Sequence, residues 1–141
     1  MKSQAQLGNE FQIANRFMQQ QNYEAALPIF KRLVKQNPGE YYFFDRLVEC
    51  YIQLKQYDEA LEAISSLNPT PNFQAQARVL EGQLYHFKGD TLKAFSIWAS
   101  NLEQNSRNMQ IYISTANTMT ELKEFEKAVK VLKSAREIFN N

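Results

Sequence analysis

Four alanines, Ala26, Ala60, Ala94 and Ala128, stand in one register, each 34 residues after the last. An exact period of this size constrains the fold more than any local feature. It describes a unit of two short helices that cannot bury its apolar side alone and must stack on copies of itself.

The residues around the alanines repeat as well. Three before each lies Tyr23, Tyr57, Thr91 or Phe125, and four after lies Phe30, Ile64, Trp98 or Leu132. Nine before comes Phe17, Tyr51, Tyr85 or Met119, and twelve before a mostly small residue, Ala14, Val48, Gly82 or Ala116. Two helices approach closely only where small side chains let their backbones meet, and the large residues one turn away fill the flanking space at crystal-like density. Helices are expected at about residues 7–20, 23–36, 41–54, 57–67, 73–88, 91–104, 108–122 and 125–139. Asn37-Pro38-Gly39 and Gly89-Asp90 carry turn and capping chemistry. Pro69-Thr70-Pro71-Asn72 predicts a long, stiff crossover and a late start to the fifth helix.

This pattern of bulky, small, aromatic, Ala and Phe-like positions, closed once by Pro38, resembles the tetratricopeptide repeat. The resemblance covers residues 7–141. Phe44 and Tyr112 fill the place where that family prefers a bulky aromatic, whereas Glu10 and Arg78 depart from it. It implies an all-α, right-handed α-solenoid of four helix-turn-helix repeats, about 7–40, 41–74, 75–108 and 109–141, in one domain over 1–141. It also implies a non-enzymatic scaffold that binds a partner protein or peptide in a concave groove lined by the first helix of each pair.

Helical spacing places Asn15, Tyr42, Asp45, Glu49, Val79, Gln83, His86, Ile113 and Asn117 on that inner face. Side-chain amides offer a donor and an acceptor and can hold a peptide backbone whatever its sequence. Tyr42, Val79 and Ile113 are candidate apolar anchors, and Asp45 with Glu49 should favour a Lys or Arg in the ligand. The family members that clamp a chaperone's C-terminal carboxylate use five polar residues. Their places here hold Phe11, Asn15, Arg46, Gln76 and Leu80, and only Asn15 agrees, which argues against that ligand.

Composition narrows the classes further. Sixteen basic and fifteen acidic residues leave a formal charge of +1, which offers no electrostatic case for nucleic acid or an anionic membrane. Lys127, Lys130, Lys133 and Arg136 form a stripe interleaved with Glu124, Glu126 and Glu137, an ordinary solvated face. The apolar runs are too short to span a membrane, and MKSQAQLGNE lacks the apolar core of a signal peptide, so a cytoplasmic location is expected. Cys50 is the single cysteine and reads as a packed core thiol. No glycine-rich phosphate loop or cysteine pair occurs, and no cofactor is expected. The only enzyme-like alternative is a metal or acid–base site of His86 with Asp45 and Glu49. A further alternative is an assembly module. Val131, Ile138 and Phe139 then form an uncovered terminal edge, available to a second subunit or to further chain of a longer parent protein.

Overall fold

The computed structural model describes residues 3–66 and 71–140. Every regular element among them is an α-helix: α1 (Gln4–Gln19), α2 (Tyr23–Gln36), α3 (Tyr41–Gln53), α4 (Tyr57–Ser65), α5 (Pro71–Phe87), α6 (Thr91–Gln104), α7 (Met109–Glu121) and α8 (Phe125–Phe139). The fold class is thus the expected one, an all-α array of helical repeats. The chain divides into two compact units, Met1–Pro69 and Thr70–Asn141. Within the first, α1 packs on α2, α2 on α3 and α3 on α4; within the second, α5 packs on α6 and α7, and α7 on α8.

Two boundaries differ from expectation. The first helix begins at Gln4 because Ser3 and Gln6 form a reciprocal cap. The Gln6 amide donates to Ser3 Oγ at 3.2 Å, and the Ser3 amide donates to Gln6 Oε1 at 2.9 Å. The fifth helix starts early, at Pro71, because proline's missing N–H costs nothing in a first turn. Of the expected Pro69–Asn72 crossover, Pro69 and Thr70 lie outside the described residues, and Pro71 and Asn72 belong to α5.

The 34-residue period is written into the backbone at the turn inside each hairpin. Gln21, Lys55, Gly89 and Lys123 all have positive φ, at 58°, 59°, 89° and 65°. Each terminates its helix in the same way. The following amide reaches back to a carbonyl five residues earlier, Asn22 to Phe17, Gln56 to Tyr51, Asp90 to Tyr85 and Glu124 to Met119, at 2.7–2.9 Å. This left-handed C-terminal cap satisfies carbonyls the helix leaves open. Asn22 and Asp90 then cap the next helix, accepting from the amides of Ala25 and Lys93 at 3.2 Å.

The small residues behave as the packing argument requires. Ala14, Ala26, Val48, Ala60 and Ala94 are fully buried, and Ala116 and Ala128 nearly so. Around them the first unit buries Phe30, Leu33, Phe44 and Leu47. The second buries Trp98, Tyr112, Met119 and Val131 in one cluster. Trp98 is the anchor of that cluster. It lies across Gly82, where an added Cβ would fall 2.5 Å from its Cε2 and 2.7 Å from its Cδ1, and its Nε1 donates to the Val79 carbonyl at 3.0 Å. One turn on, buried Asn101 donates from Nδ2 to the Ala75 carbonyl at 2.8 Å and accepts from Asn105 Nδ2 at 3.1 Å. Both donors use the second lone pair of a helical carbonyl.

Two stability outcomes follow. Trp98→Ala is expected to cost about 3–5 kcal/mol, and Gly82→Leu at least about 2, because the added branch meets indole rather than space. Urea unfolding followed by circular dichroism measures both; a loss under about 1 kcal/mol for Trp98→Ala contradicts the anchor role. The caps give the opposite sign. Gln21→Gly, Lys55→Gly and Lys123→Gly should each stabilise by about 0.5–1 kcal/mol, since only glycine takes this conformation without a Cβ clash. Gly89→Ala should lose about as much.

Candidate interaction site

Each unit carries its own portion of the predicted inner face. In the first, α1 and α3 bring aromatic rings together. Phe11 stands edge-on to Tyr42 with ring centres 5.2 Å apart, is tilted against Phe43 at 5.3 Å and lies 6.4 Å from Phe30. Tyr42 keeps 45% of its surface exposed, and the Arg46 guanidinium lies 5.1 Å from its ring centre. An exposed aromatic is therefore held in place by a ring on one neighbour and a cation on another. Asn15, Asp45 and Glu49 are half-buried nearby on the same two helices, and Glu49 Oε1 accepts from Gln53 Nε2 at 3.0 Å.

Beneath this surface the polar groups are quiet. Burial, reinforced by the Asp45 carboxylate, pushes the Tyr41 hydroxyl well above the usual phenol range. Cys50 is fully buried, with Sγ 3.2 Å from Met18 Sδ. Burial first and the Glu49 charge second push its thiol up to about 12, against a smaller opposing effect of Arg46. The expected packed core thiol is what the structure contains.

The second unit distributes its predicted residues differently. Ile113 is 39% exposed and Asn117 is exposed, both on α7. Gln83 is half-buried on α5. Val79 is not available: it is 3% exposed and packs with Ala75 and Ile111 between α5 and α7. The reason is angular. At 3.6 residues per turn, Val79 lies only about 60° around α5 from Gly82, inside the seam rather than opposite it. Ile113 holds the same repeat position, but no later first helix of the unit lies beside it.

His86 also has a different role from the one expected. Its Nε2 pairs with Glu124 Oε1 at 3.0 Å, and its ring lies 6.4 Å from Trp98 and 6.5 Å from Phe95. It tethers the end of α5 to the turn preceding α8. Glu124 was legible in the sequence only as part of a charged stripe; nothing local marks it as a partner 38 residues away. Among the described residues, no three His, Cys, Asp or Glu side chains converge as metal ligands, and no helix is long and apolar enough to cross a membrane.

Residues 17–84 match the tetratricopeptide repeat family model. This match, with the all-helical repeat fold, supports a tetratricopeptide repeat protein. Known structures share its fold. TTC0263 of Thermus thermophilus, a thermophilic protein of the family, is 20% identical, with a TM-score of 0.58 over 96% of this chain and 75% of that one. MamA is 18% identical, with a TM-score of 0.57 over 94% and 77%. YrrB, described as a tetratricopeptide repeat protein with an unusual peptide-binding site, is 21% identical, with a TM-score of 0.51 over 94% and 68%. Among curated proteins, BBSome complex member BBS4 of Bos taurus is 24% identical over 110 residues, 78% of this chain. The chain spans about a fifth of that relative's length, 21%. Proteins of this family generally serve as non-enzymatic scaffolds for protein–protein interaction.

The state of Cys50 gives a direct check on the first unit. At pH about 8 its raised pKa leaves almost no thiolate, and burial excludes reagent. Labelling by a disulfide reagent should be on the order of 100-fold slower in the folded chain than in urea. Equal rates would place the thiol at the surface.

Proposed function

We propose that this chain is a protein-interaction scaffold that grips a peptide or protein segment on the inner faces of its first helices, α1 and α3 within one unit and α5 and α7 within the other. The observation that carries this reading is Tyr42. It is a large, exposed aromatic already fixed by Phe11 and Arg46, so binding costs little side-chain entropy there. Anchors of this kind supply most of the energy of an interface. Ile113 offers a second apolar contact, while Asn15, Gln83 and Asn117 supply amides for a backbone. The half-buried carboxylates of Asp45 and Glu49 favour a cationic residue in the partner, tuning preference more than total affinity. The peptide-binding site attributed to YrrB and the complex membership of BBS4 agree with this class of function. In this reading the repeats at about 7–40, 41–74, 75–108 and 109–141 serve one binding domain.

Peptides selected from a random displayed library provide the test. Tyr42→Ala combined with Ile113→Ser should weaken a selected peptide at least about tenfold without loss of helical signal. Val79 is unsuitable for such a test, because a serine there would disturb the core. Binding that survives the double change but is lost on substituting exposed residues of α2 and α6 places the site on the outer helices instead.

A further inference from the structure

The last helix exposes an apolar strip that its counterparts cover. Phe125, Val129 and Leu132 are 57%, 49% and 47% exposed. They lie at i, i+4 and i+7, on one side of α8. The same repeat positions hold Tyr23, Leu27 and Phe30 in α2, and Thr91, Phe95 and Trp98 in α6; Phe30 and Trp98 are fully buried and the other four half-buried. The expected terminal edge is a different set. Val131 is 9% exposed within the core cluster, and Ile138 and Phe139 pack against it, with Phe139 edge-on to Tyr112 at 5.8 Å. Helix α8 runs far enough along α7 for its last turn to fold these residues inward.

The strip ends in a charge. Arg136 continues it at i+11, where α2 has Val34 and α6 has Leu102, both half-buried aliphatics. Another helix of this repeat's own kind would therefore bring apolar surface against a guanidinium. A second copy of α8, laid antiparallel about a two-fold axis between Val129 and Leu132, meets the strip differently. Val129 then faces Leu132 of the other copy, and Arg136 lies over the exposed Phe125 ring. On the flank, Glu126 comes opposite Lys133, and symmetry makes each of these contacts twice.

We infer that the Phe125–Val129–Leu132–Arg136 face of α8 is a two-fold self-association surface, through which two copies of this chain pair antiparallel. The contact is independent of the inner-face binding proposed above. A single helix face buries less than the roughly 1,000 Å² of strong complexes, so pairing is weak, with a dissociation constant on the order of 0.1 mM.

Sedimentation equilibrium of the whole chain from about 10 µM to 1 mM tests this range. A reversible monomer–dimer equilibrium is expected. Val129→Glu and Leu132→Glu alter exposed positions, so circular dichroism should be unchanged while the dimer weakens at least about tenfold. Charge exchange tests the geometry. Glu126→Lys and Lys133→Glu should each weaken self-pairing about fivefold, whereas an equimolar mixture of the two variants should pair as well as the parent. In the mixture both flanking contacts join opposite charges. A chain that stays monomeric at the highest concentration overturns the inference, as does a dimer indifferent to Val129→Glu. A mixture no tighter than either variant alone overturns the antiparallel arrangement. Further helices from another protein binding this face, with no self-pairing, also refute it.

Discussion

The closeness with which two helices approach governs this molecule. Where Ala94 and Gly82 stand, the backbones of α5 and α6 come near enough for an indole to lie across α5 and reach the Val79 carbonyl. A larger residue at Gly82 would displace Trp98, the largest member of the core cluster that also holds Tyr112, Ala116 and Met119 of the following hairpin. Packing inside a hairpin and packing between hairpins are thus the same event, which is why a sum of neighbour contacts suffices to hold such folds. The alanines at 26, 60 and 128 face Ala14, Val48 and Ala116, and smaller residues, Phe30, Ile64 and Leu132, stand where the indole does.

Much of this was legible because the period acts on residue type. Buried positions must be small or large in fixed places, and these choices appear directly as letters. The turns were less legible. Of the four left-handed caps only Gly89 announces itself; Gln21, Lys55 and Lys123 adopt the same backbone without the residue that favours it. There the tertiary register decides the conformation and local preference yields. The Ser3–Gln6 cap is equally visible as letters, but it precedes the repeat and shares none of its register.

Exposure along the predicted inner face was only partly legible in the sequence, for a geometric reason. Helical spacing ranks residues around one helix and is silent about how wide a sector each neighbour covers. Tyr42, Ile113 and Asn117 lie in exposed sectors, whereas Val79 falls in the seam with α7. His86 shows the same limit for polar groups, since its partner Glu124 belongs to a turn two helices later. Contacts at such separations depend on how hairpins stack, which spacing within a single helix does not encode.

The hydrogen bonds from Trp98 and Asn101 have a mechanical consequence. Apolar ridges can slide past one another with modest loss, because one methyl replaces another. The two donors on α6 meet carbonyls one turn apart on α5, and a shift of less than a full turn strands both away from water. Translation of α6 along α5 is therefore opposed by a barrier with a definite position. Tension applied along the helix axes should meet a brittle joint there, one that holds its length until both bonds fail together.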